Sequence, residues 1–132
     1  MRVVFDTNVF VSALVIPSSL SDEVYRRAIV REFQLVTSVA ILTELARTLR
    51  RKFGWEGEVV TRAIKSISRV AEVVKTVPHL QVVGDAADNR ILECVEKAVA
   101  DLIVTGDPHL LKLRRFGTTG IVKVSTFLHT LG

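Results

Sequence analysis

The chain has 132 residues, 48% of them hydrophobic and 24% charged, which suits one globular domain and excludes a disordered polyelectrolyte. No apolar run is long enough for a membrane helix, and the amino terminus lacks the layout of a secretion signal, so a cytoplasmic protein is expected. The formal net charge of +4 and the pI near 9.6 fit a polyanionic partner, although simple solubility accounts for basicity equally well.

The chain opens on Val3-Val4-Phe5-Asp6-Thr7-Asn8, where three apolar strand-forming residues stop at an acid, a hydroxyl and an amide. This reads as a buried strand, Arg2 to Phe5, delivering polar groups at its carboxyl end, where open parallel sheets place their active sites. A short apolar helix follows from Val9 to Val15 and breaks at Pro17-Ser18-Ser19. Ser21 is the predicted cap of a second helix, with Asp22 and Glu23 in its first turn, running to about Glu32. Phe33 to Thr37 reads as a second buried strand. Ser38 then caps a third helix, Val39 to about Phe53, closed by Gly54. Its apolar stripe is Ile41, Leu42, Leu45 and Leu49, while Arg47, Arg50, Arg51 and Lys52 crowd its carboxyl end.

A further helix covers Glu56 to about Val70, and the β-forming residues Val73-Val74 extend toward Val77 before Pro78. Val82-Val83-Gly84 lead into Asp85-Ala86-Ala87-Asp88 and a strongly amphipathic helix from Asn89 to Val99. Leu102 to Thr105 is a continuous buried strand, Gly106-Asp107-Pro108 a turn, and His109 to Leu113 a short helix. Ile121 to Val124 is the last strand, after which Ser125 or Thr126 caps a terminal helical turn. Alternating strands and helices predict an α/β fold: a three-layer α/β/α sandwich around a central parallel sheet with right-handed crossovers, a single domain over residues 1–132.

Four acids are candidates for one site: Asp6 after the first strand, Glu44 in the third helix, Asp88 where a helix begins, and Asp107 after the strand Leu102 to Thr105. Each has an ordinary alternative. Asp6 and Asp88 could be helix caps, with Asp85 competing for the latter job, and Glu44 could be a surface glutamate paired with Arg47 or Thr48. If the four converge, their repulsion has to be compensated, and a hard divalent cation, Mg2+ or Mn2+, prefers carboxylate oxygens to nitrogen or sulfur. Such a centre polarises phosphoryl oxygens and activates water, which is what phosphodiester hydrolysis requires. The single cysteine, Cys94, excludes an internal disulfide and reads as a buried structural thiol. Among the histidines only His109 lies near a proposed ligand, and none is assigned to catalysis.

Four stretches carry a resemblance: Phe5-Asp6-Thr7-Asn8-Val9-Phe10-Val11-Ser12-Ala13-Leu14, Thr37-Ser38-Val39-Ala40-Ile41-Leu42-Thr43-Glu44-Leu45, Asp85-Ala86-Ala87-Asp88-Asn89-Arg90-Ile91-Leu92, and Ile103-Val104-Thr105-Gly106-Asp107-Pro108-His109-Leu110-Leu111. In that order, with an acid in each, the chain resembles a PIN domain. Within that superfamily it is similar to the stand-alone toxins of VapC-like toxin-antitoxin systems. The resemblance implies that Asp6, Glu44, Asp88 and Asp107 hold magnesium or manganese and activate water against a single-stranded RNA backbone. It also implies that Thr7, Asn8 and Thr105 organise those ligands. Two departures stand out: Ala86 occupies a position where Pro is common, and Pro17-Ser18-Ser19-Leu20 lacks a basic residue often found there. The second leaves the path of RNA to the acids open at this level.

The sequence is therefore read as a Mg2+/Mn2+-dependent endoribonuclease, the toxin of a toxin-antitoxin pair, with RNA, a cognate antitoxin and a second copy in a homodimer as candidate partners. Arg47, Arg50, Arg51 and Lys52 are candidate RNA contacts, weighed against a merely solvated helix face. A receiver-like signalling module, also a parallel α/β domain that binds magnesium through acids, is one rival. A non-catalytic RNA-binding PIN protein is the other.

Overall fold

The computed structural model describes residues 1–132. Strand β1 (Arg2–Phe5) leads to helices α1 (Thr7–Val15) and α2 (Leu20–Ile29), then β2 (Gln34–Ser38), α3 (Val39–Arg51), α4 (Gly57–Val70) and β3 (Glu72–Val74). The chain returns through α5 (Ala86–Ala98) to β4 (Leu102–Val104), α6 (Pro108–Leu113), the hairpin β5 (Arg115–Phe116) and β6 (Thr119–Val122), and α7 (Val124–Leu131). The six strands form one sheet in the order β3-β2-β1-β4-β6-β5, parallel except for the antiparallel β5–β6 pair at one edge.

Why β1 lies central follows from its residues. Val3, Val4 and Phe5 are fully buried, as expected of a parallel strand covered on both faces. Val3 pairs with Leu35 on one side and Leu102 on the other, and Val4 with Val36 and Ile103. Right-handed crossovers stepping outward from β1 to β3 put α1 to α4 on one face, whereas the β3-to-β4 crossover steps back and puts α5 on the opposite face. Phe5, Phe10, Phe33 and Phe127 stack edge-on or tilted with centroids 5.0–5.9 Å apart and join β1, α1 and α7.

Several boundaries differ from the sequence reading for local reasons. Helix α1 begins at Thr7 rather than Val9, because the Asp6 side chain accepts the Asn8 amide. Ser19, not Ser21, caps α2 by accepting the Asp22 amide at 3.1 Å, and Asp22 reaches back to the Ser18 amide at 3.0 Å, a reciprocal box. That helix stops at Ile29 instead of Glu32, since Arg31 turns left-handed (φ 64°) and gives its guanidinium to the Val70 carbonyl at 2.6 Å. Strand β2 is shifted one residue, β3 ends at Val74, and α5 starts at Ala86 because Asp85 takes the cap. Strand β6 ends before Val124, which opens α7 with Ser125 and Thr126 inside the helix rather than capping it. The two-residue strand β5 was too short to leave a pattern.

Val99 ends α5 in the left-handed region (φ 51°, ψ 54°) with 77% of its surface exposed. A β-branched residue is strained there and buries little in return. Val99→Gly is expected to stabilise the protein by about 1 kcal/mol, a rise in melting temperature of roughly 3–5 °C, read by thermal denaturation.

Candidate active site

In a doubly wound sheet the crevice lies at the carboxyl ends of the strands where the order reverses. Here the chain moves from β1 outward to β3 and then crosses to β4 on the other flank of β1, so the reversal falls between β1 and β4. The residues following those strands, Asp6 and Thr105 to Asp107, line that point.

Asp6 is 3% exposed. Its amide donates to the Val104 carbonyl at 3.0 Å, and its Oδ2 accepts the Thr105 hydroxyl at 2.7 Å. The Thr105 oxygen in turn accepts the Asp107 amide at 2.9 Å, so one buried hydroxyl ties the ends of two strands to two acids. Burial pushes the Asp6 carboxyl up, partly offset by Thr105 and the Asn8 amide, with the Asp107 charge pushing it further up. Asp107 caps α6 by accepting the His109 amide at 2.8 Å.

Asp88 is brought to the same place by the first turn of α5. It does not cap that helix; Asp85 does, accepting the amides of Ala87 at 2.7 Å and Asp88 at 3.3 Å. Asp88 is buried, and its Oδ2 has no hydrogen-bond partner in the protein. Burial first, then the proximity and charge of Asp107, then the charges of Asp85 and Asp6, raise its carboxyl to about 7. Asp6, Asp88 and Asp107 are thus electrostatically joined.

Glu44 stands apart from this trio. Its Oε2 accepts Arg47 Nη1 at 2.8 Å, the ordinary surface pairing that the sequence allowed. It nevertheless opens on a cavity of about 230 Å³ with Thr7, Ala87 and Arg90, next to Asp6 and Asp88 in the chain. Thr7 is buried, whereas Asn8 is exposed and reaches Asp6 only through its backbone amide. Arg50, Arg51 and Lys52 are exposed and form no ion pair. His109 and Asp85 border a second cavity, of about 390 Å³, with Asp88. The sequence reading singled out neither Asp85 nor Arg90 as part of the site, although their positions beside Asp88 were the available signal.

No three His, Cys, Asp or Glu side chains gather tightly enough to form a closed metal cage. An open, largely hydrated divalent ion asks for less, since magnesium is commonly held by one or two carboxylates with water completing its shell. The buried, unpartnered Asp88 oxygen and the charges of Asp6 and Asp107 beside it suit such an ion.

Parallel α/β domains with an acidic switch point form a broad class, and the comparisons narrow it. Residues 2–109 match the family described as PIN domain, and the chain belongs to it. An uncharacterized protein of Methanocaldococcus jannaschii, MJ1680, is 32% identical over 123 residues, spanning 86% of this chain and 76% of that protein. Two crystal structures share the fold. VapBC2 from Rickettsia felis bound to a DNA fragment from their promoter aligns with TM-score 0.65 at 15% identity, covering 93% of this chain and 98% of that one. PAE2754 from Pyrobaculum aerophilum aligns with TM-score 0.62 at 18% identity, covering 98% of this chain and 88% of that one. The receiver-like alternative is overturned: the third strand lies at the sheet edge, not beside β1, and runs into Lys75 rather than an acceptor aspartate.

Two outcomes follow from this geometry. Thr105→Val keeps the shape but removes the donor to Asp6 and the acceptor for the Asp107 amide, so urea denaturation is expected to show a loss of about 1–3 kcal/mol. Asp88 keeps its proton in the folded state to about 7 against 3.8 in the free carboxyl, so the folded protein binds the extra proton. Its contribution to stability is therefore greatest at the acid end and falls as pH rises through that window. Melting in chelator from pH 4 to 8 should show a decline in the wild type relative to Asp88→Asn, with parallel curves counting against the raised carboxyl.

Proposed function

We propose that this chain is a Mg2+- or Mn2+-dependent endoribonuclease that hydrolyses phosphodiester bonds of single-stranded RNA, with Asp6, Asp88, Asp107 and Glu44 as its catalytic and metal-binding acids. The observation that carries the reading is the meeting of buried Asp6 and Asp88 with half-buried Asp107 at the switch point, with an unpartnered oxygen on Asp88. Membership in the PIN-domain family supports the same chemistry. Bound there, the ion would neutralise the repelling carboxylates, polarise a phosphoryl oxygen and lower the pKa of the attacking water.

The chain's own residues divide the remaining work. Thr105 fixes the Asp6 carboxylate so that Oδ2 keeps one orientation, which removes reorganisation at the moment of reaction. Asp88, crowded by the other acids and with one oxygen unpartnered, is placed to take up the ion that would relieve that repulsion. Glu44, half-buried, borders the approach through the Thr7 cavity, where the guanidiniums of Arg47 and Arg90 would balance a phosphate. A net charge of +4 around this acidic centre draws in a polyanion, and Arg50, Arg51 and Lys52 are free to touch its backbone.

The likeness in fold to VapBC2 supports a toxin role with a cognate antitoxin as partner, and a homodimer fits the symmetric habit of small proteins. A non-catalytic RNA-binding role is disfavoured, because burying Asp6 and Asp88 beside Asp107 without using them costs stability for no return. Asp6→Asn should fold normally and lose about 100-fold or more of its cleavage of single-stranded RNA in manganese, and chelator should abolish cleavage by the wild type. Cleavage unaffected by either change would overturn the reading.

A further inference from the structure

Three depressions meet around the first turn of α5. Besides the cavity of Thr7, Glu44, Ala87 and Arg90 and the cavity of Asp85, Asp88 and His109, a larger one of about 440 Å³ lies against the loop from Pro78 to Gly84. It shares Arg90 with the first and Val83 and Gly84 with the second. All three therefore border the same turn of α5, on either side of Asp88. The volume of the largest falls in the range of roughly 300–1,000 Å³ found for ligand clefts.

The loop beside this cavity has no regular secondary structure, yet buried polar groups hold it. Glu93, 1% exposed, accepts the amides of His79 at 2.6 Å and Leu80 at 2.8 Å, and Arg90 through Nε at 2.6 Å and Nη2 at 2.8 Å. Burial pushes the Glu93 carboxyl up, but those amides and Arg90 outweigh it and hold it below the usual range. Asn89 accepts the amides of Val82 and Val83 at 3.0 and 3.1 Å and donates to the Val83 carbonyl at 2.9 Å. His79 places its ring nitrogens 2.8 Å from the Val77 carbonyl and 2.8 Å from Glu96.

Burying a carboxylate and an amide to fix an exposed loop is costly. It is what a preorganised wall needs. The polar groups left over are those a ligand would use. Arg90 spends Nε and Nη2 on Glu93 and the Leu80 carbonyl, leaving Nη1, and the exposed Gln81 lines this cavity and neither of the other two.

We propose that this cavity is the subsite for the nucleotide adjoining the cleaved bond of the single strand, with Arg90 Nη1 donating to its phosphate and the Gln81 amide beside its base. The assignment rests on the nuclease reading above. Because Glu93 holds the guanidinium in place, little side-chain freedom is lost when the phosphate arrives.

The test is binding of a short labelled single-stranded RNA to the Asp6→Asn protein in manganese, where cleavage does not intervene. Gln81→Glu should weaken binding about 5-fold and Gln81→Lys tighten it by a similar factor, with unchanged melting temperatures. Arg90→Lys keeps the charge facing Glu93 but loses the second edge of the fork, and should weaken binding about 5-fold. If Arg90→Lys does not fold, the Gln81 pair decides alone. Arg62→Glu, on the α4 surface beside Glu58 and Lys65, is the control and should change binding less than 2-fold. Equal effects of Gln81→Glu and Arg62→Glu, or no effect of the Gln81 pair, overturn the subsite while wild-type cleavage keeps the nuclease reading. Absence of binding by the Asp6→Asn parent also overturns the subsite, and failure of the wild type to cleave takes the nuclease reading with it.

Discussion

The hydroxyl of Thr105 joins what would otherwise be two separate strand ends. Its proton goes to Asp6 and its lone pair takes the Asp107 amide, at a place where the sheet reverses its order and leaves a crevice. Without that bridge, Asp6 would be a carboxylate 3% exposed with only a weak backbone contact at 3.4 Å. Hydrogen bonds to charged groups contribute about 1.5–3 kcal/mol, which offsets part of the burial of Asp6 but leaves nothing to compensate a second acid beside it. The site therefore stores repulsion by construction, and Asp88 carries it.

Glu93 and Asp88 show how one helix treats two buried acids differently. Both project from α5, five residues apart, and burial raises both. Glu93 meets two amides and a guanidinium, whereas Asp88 meets other carboxylates and leaves an oxygen without a partner. Donor supply, not depth, separates the acid that holds a loop from the acid suited to chemistry. The loop anchored by Glu93 supplies Val83 and Gly84 to the cavity that Asp88 lines, so both acids act on the same end of α5.

Much of the layout could be read from residue order. The strand at Val3-Val4-Phe5 and the acid after it, the alternation of strands and helices, and the acid after Leu102-Ile103-Val104 needed only hydrophobic runs and their ends. Short or capped boundaries were less visible. Ser19 and Ser21 are equally good caps in isolation, and only the path of the chain out of α1 selects Ser19. Strand β5 has two residues, too few for any period.

Sequence by itself determined the order of the secondary-structure elements apart from β5, and the chemical identity of the acids, because both depend on neighbours along the chain: side-chain period, caps and breakers. Which acids meet was decided by tertiary structure. The crossover from β3 back to β4 places Thr105 and Asp107 beside Asp6 across about a hundred residues of separation, and α5 swings Asp88 over them. The same packing draws Asn89, Arg90 and Glu93 under a loop that lies before them in the chain. Burial and long-range Coulomb forces are properties of proximity in space, so a carboxyl near 7 at Asp88 exists only once the sheet has closed around it.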